Sequence, residues 1–138
     1  MMKSWQIIPA VAIFALGADA AETQTYRDSS GRTTGTVTIN GNHATYRDAQ
    51  GRIIMTSTTN GSTTTFRDAQ GRVIGTQTVS GGGATYRDAQ GRTVATSTQS
   101  GGTTTYRDAQ GRTVGTATRS GSGTTYRDAQ GRTSGSRR

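Results

Sequence analysis

Tyr46-Arg47-Asp48-Ala49-Gln50-Gly51-Arg52 is the stretch from which the rest of the chain is read. It returns at 66–72, with Phe66 for Tyr, and at 86–92, 106–112 and 126–132. A degenerate copy at 26–32 carries Ser29-Ser30 in place of Ala-Gln. The copies begin at 26, 46, 66, 86, 106 and 126, a period of 20 without insertions. A fixed period of this size marks an array of supersecondary units that bury their apolar faces against one another.

The stretch itself predicts a hairpin. Asp48-Ala49-Gln50-Gly51 suits a type I turn followed by Gly in the left-handed region, a G1 bulge. Asp accepts local backbone bonds at the first turn position, and Gly takes positive φ without steric cost. The turn pairs Asp48 and Gly51, Asp68 and Gly71, Asp88 and Gly91, and Asp108 and Gly111 are therefore expected to be structural. A second turn falls at Asn40-Gly41, Asn60-Gly61, Ser80-Gly81, Ser100-Gly101 and Ser120-Gly121. Between the turns lie Thr- and Val-rich runs with strand propensity and no helical stripe. The fold class is all-β: two strands and two turns per unit, as an antiparallel hairpin sheet or a short β-solenoid.

If Asp48 pairs with Arg52, Arg47 faces Ile53 and Tyr46 faces Ile54. Tyr46, Asp48, Arg52, Ile54, Thr56 and Thr58 then share a face. The expected core is the aromatic column Tyr26, Tyr46, Phe66, Tyr86, Tyr106 and Tyr126 with Ile54, Ile74, Val94 and Val114. Thr34 and Ser134 stand at the aliphatic position in the outer units, as end caps would. A solenoid would stack Arg27, Arg47, Arg67, Arg87, Arg107 and Arg127 at strand spacing. There, like charges repel by about 1 kcal/mol per pair even in a water-like dielectric. That weighs toward the hairpin sheet.

Residues 1–20 stand outside the repeat. Met1-Met2-Lys3, an apolar run from Trp5 to Leu16 and Ala18-Asp19-Ala20 read as a secretory signal peptide. The β-repeat domain is then 21–138, with units 25–44, 45–64, 65–84, 85–104 and 105–124 and a partial unit 125–138. It has no Cys, no Lys, 28 Thr, 19 Gly, and 15 Arg against 7 acidic residues. Only 16 residues are large aliphatics or aromatics, so the core is thin.

The pattern Tyr-x-Asp-x-x-Gly-Arg, a Thr-rich strand, a Gly turn and Thr-Thr-Tyr resembles the YD repeats of Rhs and teneurin-type proteins. The resemblance implies units that build winding antiparallel sheets. It departs where the family places an aromatic before the Asp and this chain has Arg. In plan, the near-identical secreted units are similar to curli-type fibre subunits, without their Gln and Asn ladders.

Catalysis finds no support: His43 is the only His and recurs in no other unit, and no nucleophile-base set can be drawn. No metal or cofactor is expected, since each turn offers one carboxylate beside an Arg and Ca²⁺ takes six or more oxygens. Asp is expected to pair with the second Arg, at 32, 52, 72, 92, 112 and 132. The first Arg, at 27, 47, 67, 87, 107 and 127, has no opposite charge in the motif and is the candidate anion-binding column. Thr36/Thr38, Thr56/Thr58, Thr76/Thr78, Thr96/Thr98 and Thr116/Thr118 resemble the Thr-x-Thr ladders of ice-binding solenoids. The expectation is an exported, non-enzymatic protein, outside the cell or periplasmic. It would be structural or adhesive, self-associating through repeat ends or edges into an oligomer or fibre. The alternatives are a monomeric module for anionic surface polymers, without specific nucleic-acid recognition, and ice binding.

Overall fold

A computed structural model of the chain describes residues 22–121 and 123–138; the signal-peptide reading of 1–20 lies outside the described residues. Twelve strands follow one another: β1 Glu22–Asp28, β2 Thr33–Asn40, β3 His43–Asp48, β4 Ile53–Asn60, β5 Thr63–Asp68 and β6 Val73–Ser80. The second half repeats the plan with β7 Gly83–Asp88, β8 Thr93–Ser100, β9 Thr103–Asp108, β10 Thr113–Ser120, β11 Gly123–Asp128 and β12 Thr133–Arg137. Each strand pairs antiparallel with its neighbours in sequence, and β12 returns to pair with β1. The result is a closed barrel. It is neither the β-solenoid nor an open hairpin sheet, because strands joined by tight turns pair side by side and their coiling brings the last to the first.

The Asp turn forms as its residues dictate. The Asp48 N–H donates to the Arg52 carbonyl (2.9 Å), and the Gly51 N–H donates to the Asp48 carbonyl (3.0 Å), with Gly51 at φ 84°. Gly71, Gly91 and Gly111 repeat this at φ 84°, donating to the Asp68, Asp88 and Asp108 carbonyls at 3.0 Å. All four glycines are exposed, so they shape the turn and add nothing to the core. At the other end Asn40 pairs with His43, so the two-residue loop is Gly41-Asn42. Gly41 has φ 62° and no non-Gly residue has positive φ, which is the Gly-first type II′ form. Asn40 belongs to the strand.

One register expectation is overturned. Arg47 faces Ile53, but the ladder then shifts and Tyr46 faces Met55. The same shift recurs in every unit, so Phe66 faces Gly75, Tyr86 faces Ala95 and Tyr126 faces Gly135. A bulge leaves one extra residue unpaired, at the position of Ile54, Ile74, Val94 and Val114, and moves all later side chains to the opposite face. The aliphatic column therefore does not oppose the aromatics. Ile54 is 39% exposed. Ile74, Val94 and Val114 are partly buried and pack against the core from the Asp-turn end. Thr56 and Thr58 take the face opposite Tyr46, and Arg52 lies exposed in the turn.

Inside the barrel, Tyr46, Phe66, Tyr86 and Tyr106 are buried with Val37, Ile39, Ala44, Met55, Ala95 and Ala117. Twelve strands enclose a wider interior than the eight that ordinary side chains fill, and large rings alternating with small residues suit that width. Burying each ring contributes about 1.5–3 kcal/mol. The core is not wholly apolar, since Ser57, Thr64, Gln77, Ser97, Thr124 and Arg137 are buried too. Tyr86 Oη and Ser97 Oγ lie 3.4 Å apart, and the Thr59 and Thr64 hydroxyls 2.9 Å apart.

Candidate anion-binding rim

Each Asp carboxylate is filled by its own turn. Asp48 Oδ1 accepts the N–H groups of Gln50 (2.9 Å) and Arg52 (3.0 Å), and Oδ2 accepts Arg52 Nε (2.9 Å). The same pairing joins Asp68 to Arg72, Asp88 to Arg92 and Asp108 to Arg112 at 2.9 Å, Asp128 to Arg132 at 3.0 Å and Asp28 to Arg32 at 3.2 Å. Asp68 is held below the usual carboxylate range, chiefly by the Arg72 N–H. At Asp48, burial is the largest influence and acts upward, but the Arg52 and Gln50 donors together outweigh it. Asp28 is pulled down to about 2, first by the Ser30 hydroxyl and then by the Arg32 N–H. With both oxygens committed to N–H donors, the Asp column serves the turn.

The first Arg also has a local task that the sequence did not disclose. In five units its Nη1 crosses the outer face of the hairpin to the turn carbonyl, from Arg27 to Gly31 (3.1 Å), Arg47 to Gly51 (3.3 Å) and Arg67 to Gly71 (3.2 Å). Arg87 reaches Gly91 (3.3 Å) and Arg127 reaches Gly131 (3.1 Å). The unit of Arg107 and Gly111 departs from the pattern: its turn has the same backbone bonds, but this side-chain bond is not formed. Arg87 also donates to the Thr93 hydroxyl (3.1 Å), and Arg27 to that of Thr33 (3.3 Å). A guanidinium has five N–H donors, so one bond to a carbonyl fixes it and leaves the rest for a ligand.

Barrel closure turns the six first Arg from a straight column into a ring on alternate strands, β1 to β11, at the Asp-turn end. Neighbours such as Arg47 and Arg67 stand two strands apart, about 10 Å. The ion pairs among the described residues are made by the second Arg, so twelve motif Arg against six Asp leave the rim net cationic. The strand between two Arg contributes a hydroxyl. Arg47 faces Thr36, Arg67 faces Thr56, Arg87 faces Thr76, Arg107 faces Thr96, Arg127 faces Thr116 and Arg27 faces Ser136. Guanidinium and hydroxyl donors thus alternate around the outer wall. The first Thr of each Thr-x-Thr pair was hidden from sequence reading by the bulge, which reversed its face.

His43 is exposed, its Nδ1 3.2 Å from the Thr58 hydroxyl. No protein-family model matches the chain, and no curated protein is significantly similar to it.

Proposed function

We propose that the chain is an exported, non-enzymatic binding module whose Asp-turn rim holds an anionic polymer such as a sulfated or phosphorylated polysaccharide. The observation that carries this reading is the ring of six Arg, five of them anchored to a turn carbonyl and all paired across the ladder with Thr or Ser. Arg suits sulfate and phosphate through its planar fork, and a hydroxyl beside it adds a donor. Spacing of about 10 Å exceeds the Debye length of about 8 Å, so the Arg tolerate one another while a multivalent anion bridges several.

The outer wall argues against a barrel that spans a bilayer. Such barrels need tilted strands of about 9–11 residues with an apolar lipid-facing band. Here strands run 5 to 8 residues and the outward positions are mostly Thr and Arg, with Ile53 and Val73 the exposed apolar residues opposite Arg47 and Arg67. Fibre growth along a sheet edge has no open edge among the described strands. A curved wall also matches a flat ice lattice poorly, which ranks ice binding last.

Retention of 21–138 on a heparin column at rising salt tests the reading. The quadruple variant R47Q/R67Q/R87Q/R107Q should elute at markedly lower salt, whereas R47K/R67K/R87K/R107K should elute in between. Unchanged elution of the folded Gln variant sinks the rim as the site.

A further inference from the structure

The ladder that closes the barrel repeats the register of the internal ones. Gly135, Ser136 and Arg137 face Asp28, Arg27 and Tyr26, as Gly115, Thr116 and Ala117 face Asp128, Arg127 and Tyr126. In the geometry of pairing, β1 cannot tell its own β12 from that of another copy.

Among the described residues this seam has the shortest ladder in the wall. Its ladder covers Tyr26–Asp28 and is extended by Thr25 and Arg138, whose N–H groups each donate to the other's carbonyl (2.6 and 3.0 Å). The equivalent β10–β11 ladder runs from Gly115 to Ser120. Arg137 is buried where other units place Val37, Ser57, Gln77, Ser97 or Ala117, and its Nη2 donates to the Thr124 hydroxyl (2.9 Å). Enclosing a guanidinium costs more than enclosing any of those, and the Tyr26 phenol across the seam, also hydrogen-bonded to Arg137, offsets part of that cost. Behind the seam lies a cavity of about 320 Å³ lined by Tyr26, Tyr126, Thr34 and Ser134. Thr34 and Ser134, exposed residues at the position where the inner units carry Ile or Val, form part of its wall together with Val114. Buried polar atoms lacking a hydrogen-bond partner among the described residues are Gln24 Oε1 and the Tyr106 and Tyr126 hydroxyls, on β1, β9 and β11.

We propose that this seam is an exchangeable interface, at which β1 of one copy pairs with β12 of a second copy in the register Tyr26–Arg137, Arg27–Ser136, Asp28–Gly135. The partner is another copy of the chain because the repeat itself carries the complementary strand. Opening gives up a short ladder beside an open pocket, and exchange restores the same bonds. Reciprocal exchange closes a dimer, and one-way exchange propagates head to tail. The interface shares Arg27 and Ser136 with the rim but is held by backbone pairing. The heparin test uses Arg47, Arg67, Arg87 and Arg107, so failure of the interface would leave the polymer-binding reading standing.

Among the described residues there is no Cys, so introduced thiols report cleanly. R27C and S136C chains, mixed at high concentration and then oxidised, should give a mixed disulfide dimer several-fold above that from T76C mixed with R87C. The latter pair occupies the same register inside the wall. In one chain oxidised when dilute, R27C/S136C should lock the seam and abolish the concentration-dependent oligomers that the reduced form shows by light scattering. Equal mixed-dimer yields at the two positions, or a locked form that associates like the reduced one, overturn the proposal. So does a reduced form that stays monomeric. If replacing Arg27 unfolds the chain by circular dichroism, T25C chains mixed with R138C chains make the same measurement at the neighbouring pair.

Discussion

One carboxylate per unit organises the turn beneath it. Asp88 accepts the N–H groups of Gln90 (2.9 Å) and Arg92 (3.0 Å) and the Arg92 Nε (2.9 Å), while the Arg92 side chain is 76% exposed. An exposed ion pair contributes little, whereas backbone donors left without an acceptor are costly. D88A should therefore lower the midpoint of urea unfolding clearly more than R92A, and equal losses would make the ion pair the dominant contribution. The six Asp also set the acid limit. Their carboxyls are depressed in the folded state, so the unfolded chain takes up protons first as pH falls. Stability from these groups is complete above their unfolded value of about 3.9 and is lost as pH falls through the lower folded values. Thermal melts should be level from neutral to about pH 5 and drop steeply below pH 4. A chain whose melting point holds to pH 2 would contradict that.

In the hairpin, the turn with its G1 bulge was legible and the further bulge in the strand after it was not. Asp, Gly and their spacing announce a type I turn with a G1 bulge, and Gly91 stands at φ 84° with open space where a Cβ would be. G91A therefore introduces strain without a clash, at about 1 kcal/mol, readable as a lower urea midpoint with an unchanged slope. The unchanged slope matters, since a smaller one would mean that the sheet had rearranged. The extra residue at 54, 74, 94 and 114 leaves no such signature. Ile54 beside Met55 offers two apolar candidates to face Tyr46, and Gly75 opposite Phe66 offers no apolar signal at all. Pairing the aromatic with the aliphatic column was the obvious choice and the wrong one. That one-residue slip also put the Thr-x-Thr pairs on the wrong face, and with them the hydroxyls beside Arg47 and Arg67.

For the barrel as a whole, the phenols report on closure. Burial raises Tyr46 and Tyr86 to about 12, with the Ser57 and Ser97 hydroxyls acting downward, and raises Tyr126 to about 12 against the pull of Arg137. Tyr106 is pushed higher still by burial and by its phenol neighbours. Between pH 10 and 12 the folded barrel holds protons that the unfolded chain releases, so stability falls as pH rises, by about 2–3 kcal/mol per tyrosine. Alkaline unfolding should be cooperative, with phenolate absorbance and loss of sheet dichroism rising together. Phenolate forming well before the sheet is lost would mean rings open to solvent.

The 20-residue period, the two turns, the strand content and the Asp–Arg pair were determined by sequence alone. Each depends on residues within about five positions of one another, where backbone sterics and local hydrogen bonds decide. Closure, the inward face and the Arg–Thr ring were decided only by tertiary structure. They depend on how one unpaired residue per hairpin redirects the strands and on how six registers sum until β12 meets β1. No local stretch carries that sum, and with it the candidate Arg column, read from the sequence as a strip, becomes a rim.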